Sequence, residues 1–215
     1  MENYPASLTI DYQQTSNRLT VLFRIFLAVP ILIILALLTS PAYENEIHVV
    51  NEDDVTVETD ENRMYSVGII FLPTLLMIVF RKKYPKWWFD WNLALVKFSM
   101  RVASYLLLLR DEYPSTDEEQ AVHVQLHYPD VDKELNRYLP LVKWLLAIPH
   151  LIVLVLLTVA VLFVTIVTWF IILFTGSYPK MMFDFVVGYM RWFFRVEAYA
   201  FLLTTDRYPP FRLSP

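Results

Sequence analysis

The chain has 215 residues, 56% of them hydrophobic and 16% aromatic, with a formal net charge of −4 at pH 7. That apolar share exceeds the roughly 45–50% of an ordinary soluble domain and points to a membrane protein. The lack of cysteine excludes disulfides, thiolate catalysis and cysteine-ligated metal, and 3 glycines leave nothing to build a glycine-rich phosphate loop.

Met1 to Arg18 is polar and carries no apolar core of the signal-peptide kind. Within it, residues 6–12 alternate, with Leu8, Ile10 and Tyr12 on one face, which predicts a short strand. Leu19 to Leu38 is apolar except for Arg24. At about 1.5 Å per residue it reaches about 30 Å, so a transmembrane helix is predicted over 19–38, kinked at Pro30. Residues 40–65 hold eight acids and one base, Arg63. A second, shorter transmembrane helix is predicted over 66–82, closing on Arg81-Lys82-Lys83. An amphipathic helix follows over 86–110. Residues 115–120 form a polar linker, and 121–128 alternate again as a strand. Leu139 to Phe174 has one cation, Lys143. As a single helix it would measure about 54 Å, too long for one upright span. A full or re-entrant hairpin is therefore expected, 139–157 and 159–175, kinked at Pro149 and turning near Thr158, with a single tilted helix as the runner-up. A second amphipathic helix is predicted over 181–204.

These elements are written twice. At an offset of 94, Tyr84–Leu109 lies on Tyr178–Leu203 with 10 of 26 positions identical. At an offset of 119, Asn17-Arg18 falls on Asn136-Arg137, Arg24 on Lys143 and Pro30 on Pro149. The fold expected is an all-α membrane protein with short β segments, made by tandem duplication of residues 1–114 and 115–215. Each half holds a strand, a helical hairpin and an interfacial helix. The acidic segment 40–65 is an insertion in the first half. Nearly every cation lies outside it, so the positive-inside rule places both termini in the cytoplasm and the insertion across the membrane.

On each amphipathic helix, four residues share one face: Asp90, Lys97, Arg101 and Tyr105, then Asp184, Arg191, Arg195 and Tyr199. Leucine and aromatic residues crowd the other face, the pattern of a helix lying at a membrane interface. The aspartates sit near helix N-termini, where the dipole favours an anion. The cations either snorkel to headgroups or bind lipid phosphates or a partner's carboxylates. His123, Gln125 and His127 share a strand face without further ligands at metal-binding spacing. His150 is expected to bond a carbonyl freed by Pro149, and Glu197 to pair with a cation of another helix. No catalytic motif, cofactor motif or metal site is legible, and no nucleic-acid partner is expected.

The string Leu139-Pro-Leu-Val-Lys-Trp-Leu-Leu-Ala-Ile-Pro-His150, followed by Gly176-Ser-Tyr-Pro, Phe183-Asp-Phe-Val-Val-Gly188, Arg191-Trp, Arg195-Val and Thr205-Asp-Arg-Tyr-Pro-Pro-Phe211, resembles the bacterial membrane-protein family called domain of unknown function 4389. The resemblance spans 121–212, with a weaker copy over 4–114. It implies a polytopic protein of the bacterial inner membrane and no assigned activity, cofactor or catalytic residue. The function expected is non-enzymatic: an accessory or scaffold subunit that associates with a larger membrane complex and with anionic phospholipids. The alternative is a small transporter or channel with its pathway between the halves, and a lipid-headgroup enzyme ranks third.

Overall fold

The computed structural model describes residues 4–39 and 66–215. The acidic insertion 40–65 lies outside the described residues. Eight elements follow in order: β1 (Ala6–Ile10), α1 (Arg18–Thr39), α2 (Ser66–Arg81), α3 (Lys86–Leu106), β2 (Val122–Leu126), α4 (Val131–Glu134), α5 (Pro140–Thr175) and α6 (Lys180–Ala200). The chain is thus mostly helical with one small sheet. Helices α1 and α5 are long and apolar enough to cross a membrane, and α2 is shorter.

The main departure from expectation is α5. It is one unbroken helix of 36 residues, not a hairpin. The physical reason is that the proposed turn has no turn chemistry. Thr158 keeps its hydroxyl on the carbonyl of Leu154 (2.7 Å), one helical turn back. A turn there would leave several backbone donors and acceptors without partners. Pro149 sits inside α5, and Pro30 inside α1, without ending either helix. Its counterpart in the first half is α1 and α2 together: at offsets of 119 and 94 they fall on 137–158 and 160–175.

Helix α5 buries a narrow seam. Pro140, Ala147, Leu154, Val161 and Thr168 recur every seven residues and are all buried, with Lys143 and His150 between them. A strict seven-residue repeat keeps one thin stripe facing a partner helix. Much of the remaining surface, including Leu145, Ile152, Leu156, Phe163 and Phe170, is exposed.

The layers stack in a fixed order. Strands β1 and β2 pair antiparallel, with Leu8 opposite Val124 at the centre. Beneath them lie α3 and α6, and beneath those α1, α2 and α5. Helix α6 runs antiparallel along α5: Met182 meets Thr168, Tyr189 meets Thr158 and Trp192 meets His150. Strand β1 follows the opposite side of α6, where Tyr12 packs on Phe183 and Leu8 accepts from Arg191. In the same way α1 runs along α3, with Arg24 at Tyr105 and Ile31 against Phe98, while β2 covers α3 from the other side.

The two halves interlock. Tyr12 donates to the carbonyl of Tyr178 (2.5 Å), and Tyr128 donates to that of Tyr84 (2.7 Å). Each strand thus packs on the other half's amphipathic helix. The helix ends match too. Gly176 closes α5 with φ 75, and its counterpart Lys82 closes α2 with φ 48, each N–H bonding the carbonyl four residues back. Gly188 answers a different need. A Cβ there would lie 2.9 Å from Leu213 Cβ and 3.1 Å from its carbonyl, so the C-terminal stretch approaches α6 only over a glycine.

Thr158→Pro discriminates one helix from a hairpin. The single helix predicts a loss of about 3 kcal/mol or more in thermal unfolding of the detergent-solubilised protein, whereas a turn would tolerate proline.

Candidate functional site

The apolar helices carry two buried cations, and each is held in the same way. Arg24 is buried in α1. Its Nη1 donates to the carbonyls of Tyr105 (3.0 Å) and Arg110 (3.2 Å), and Nη2 pairs with Asp111. Lys143 is fully buried in α5, donates to the carbonyl of Thr205 (2.8 Å) and forms an ion pair with Asp206 (2.7 Å). Each cation also lies over a tyrosine ring, Arg24 at 4.6 Å from that of Tyr105 and Lys143 at 5.2 Å from that of Tyr199. The second oxygen of each aspartate accepts from the backbone N–H of an asparagine just before the apolar helix. Those bonds are Asn17 to Asp111 (2.8 Å) and Asn136 to Asp206 (2.5 Å).

This arrangement recasts the predicted face Asp–Lys/Arg–Arg–Tyr. Tyr105 and Tyr199 are buried under the cations of the apolar helices. Asp90 and Asp184 are exposed and pair with Lys86 and Lys180, one turn earlier. Those lysines lie over the rings of Phe89 and Tyr128, and of Tyr12 and Phe183. Arg101 is buried and donates to the carbonyl of Ser115 (2.9 Å), while Lys97 is half-buried beside β2. Arg191 donates to the carbonyls of Leu8 (3.0 Å) and Leu213 (3.2 Å). Arg195 donates to those of Arg212 (3.2 Å) and Ser214 (2.7 Å). All four cations point towards the sheet, on the side of their helices away from α1 and α5.

Two further expectations are corrected. His150 does not bond a carbonyl freed by Pro149. Its Nδ1 accepts from Trp192 Nε1 (3.1 Å), and its ring stacks on Phe211 at 3.8 Å. The aromatic ring of Phe211 and the bonds to Arg191 and Arg195 together fasten the C-terminal stretch to α6. Glu197 pairs with no cation among the described residues, and its Oε2 is buried without a partner. Burial pushes its carboxyl up to about 7. His123 and His127 face Asp11 (3.3 Å) and Glu134 (3.2 Å) as separate surface pairs.

Between α1 and α5 lies a groove of about 300 Å³ lined by Val21, Ile25, Leu106, Leu108, Ile166 and Trp169, with Arg24 and Thr165 the polar members. Arg24 is already bound to Asp111, so the groove offers an apolar wall and not a hydrophilic path.

Residues 140–212 match the family model described as Domain of unknown function (DUF4389). That stretch holds α5, α6, the Lys143–Asp206 pair and the arginines that bind the C-terminal stretch. No curated protein and no solved structure matches the chain.

The aspartates were the members missed by sequence reasoning. Their signal was present: Asp111 and Asp206 each stand two residues before a Tyr-Pro.

Two predictions follow from these ties. Asp206→Asn strands a buried lysine and should cost about 3–5 kcal/mol in unfolding, with Lys143→Met/Asp206→Leu recovering most of it. Glu197 is protonated more readily in the native state than in the unfolded chain, whose carboxyl titrates near 4.5. Its stabilising effect is complete below that pH and is lost as pH rises through about 7. Glu197→Gln should flatten the melting temperature across this window and raise it at pH 8.

Proposed function

We propose that the chain is a non-enzymatic membrane protein, built by tandem duplication, that lies along the cytoplasmic leaflet of a bacterial inner membrane as an accessory or scaffold subunit. The layer order carries this reading. Beyond β1 and β2 the surface is polar, with Ser7, Thr9, His123 and Gln125 exposed. Beyond α5 it is apolar, with Ile152, Leu156, Phe163 and Phe174 exposed. Helix α6 lies between, running along both. An upright α5 would carry α6 and the sheet to its own depth and draw Asp11, His123 and Gln125 into hydrocarbon. Charges at that depth cost about 2.5–3.5 kcal/mol each on insertion scales. Lying flat, α5 turns its apolar side to lipid and leaves the sheet in water, as amphipathic monotopic elements do. This in-plane placement takes the place of the multi-pass topology expected from the sequence.

The duplication is supported by contacts that recur at matching positions: Arg24–Asp111 with Lys143–Asp206, Asn17 with Asn136, and Lys86–Asp90 with Lys180–Asp184. Anionic lipid is met by exposed cations at the ends of the apolar helices, Arg18, Arg81, Lys82, Lys83 and Arg137. Exposed Trp87, Trp91 and Trp144 suit headgroup depth. The polar sheet side is left for a larger membrane complex.

The chain has no cysteine, so single-cysteine variants report without background. In sealed inverted vesicles, a membrane-impermeant maleimide should label Ser7→Cys and Gln125→Cys but not Phe163→Cys. The protein should also stay in the pellet after alkaline carbonate washing. Extraction into the wash, or protection of the sheet positions, overturns the reading.

A further inference from the structure

The buried cations of the apolar layer each own a carboxylate, whereas a cluster of three arginines on the sheet side has no aspartate or glutamate side chain in the cavity it lines. Arg191, Arg195 and Arg212 line a cavity of about 590 Å³ bounded by Tyr4, the β1 backbone and the end of β2. Pro215, with its terminal carboxylate, also lines it, but no aspartate or glutamate side chain does. The bonds that Arg191 and Arg195 make there go to backbone carbonyls. Carbonyls satisfy donors without neutralising charge. Nε of Arg195 and Nε of Arg212 remain buried with no partner, and Arg195 is 3% exposed.

Burial, then Arg212 and Arg191, act to lower the pKa of Arg195. A guanidinium keeps its proton regardless, so the repulsion stays in the fold. The matching cavity on the first half is smaller, about 170 Å³, and there Lys97 and Arg101 have Glu119 in the lining. The second-half cavity thus has more room, one more cation and no acidic side chain in its lining.

We infer that this cavity binds a phosphate group. Guanidinium forks suit phosphate oxygens, and charge-assisted bonds to them are roughly twice as strong as neutral ones. A carboxylate presents two oxygens to one fork, whereas a phosphate presents three terminal oxygens, enough to engage all three arginines. The site deepens the membrane-scaffold reading by giving its polar side a ligand. It rests on that reading only for the source of the phosphate, a lipid headgroup or a soluble phosphate compound.

The test uses the full chain in detergent, titrated with inorganic phosphate and, separately, with short-chain phosphatidic acid, against chloride at equal ionic strength. Arg212→Gln is the informative variant, since the Nε it removes has no internal partner. At least one phosphate probe should raise the melting temperature saturably. Arg212→Gln should weaken that probe at least tenfold while melting like the parent protein without ligand. Lys97→Gln, in the matching cavity, should leave binding unchanged. A response to inorganic phosphate assigns a soluble source, and a response to phosphatidic acid alone assigns the headgroup. No response beyond chloride to either probe, or equal binding by Arg212→Gln, overturns the site. Carbonate washing is scored separately, so loss of the phosphate site and loss of the membrane reading are distinguishable.

Discussion

The fold depends on a charge pair made twice at the start of an apolar helix. Arg24 and Lys143 are buried in the layer least able to hold a charge, and each meets an aspartate just past the end of an amphipathic helix. The aspartate also takes a backbone N–H at the entry to the apolar helix. One carboxylate therefore fixes where the apolar helix begins and where the amphipathic helix ends. Taking two charges from water consumes much of what their attraction returns, so the pair sets register more than it adds stability. Removing either partner alone is the costly change.

That register explains the layers. With Lys143 pinned beside Tyr199 and Gly176 closing the far end, α5 runs the full length of α6. Its seam needs only a thin stripe, so most of its surface is left apolar and uncovered. Interlocked strands cap the other side of α3 and α6, and their outward residues are polar. On the proposed reading, a body with one apolar side and one polar side lies against a membrane along its length.

Much of this was legible in the residues. Alternation located both strands, and the repeat aligned Arg24 with Lys143. The amphipathic helices were also visible, with the second ending at Ala200 and not at 204. The unbroken α5 stood second to a hairpin because its length exceeds an upright bilayer span. Its polar residues offered a better guide: Lys143, His150, Thr158, Thr165 and Thr168 all fall on or beside the seven-residue seam. A hairpin would have had no reason to keep them in phase. The site was less legible. A helical wheel shows that Arg191 and Arg195 share a face, but not that a strand of the other half and a C-terminal stretch cover it. Those contacts are distant in sequence, and only Gly188, whose place admits Leu213, hinted at them.

The depth of α5 in the bilayer tests the account most directly. Spin labels placed singly on its outward face at 145, 152, 156, 163, 170 and 174 give a depth profile by power saturation in lipid vesicles. An in-plane helix predicts nearly constant depth in one leaflet from end to end. A profile that descends to the bilayer centre and rises again towards 174 would contradict the layered placement and restore an upright span.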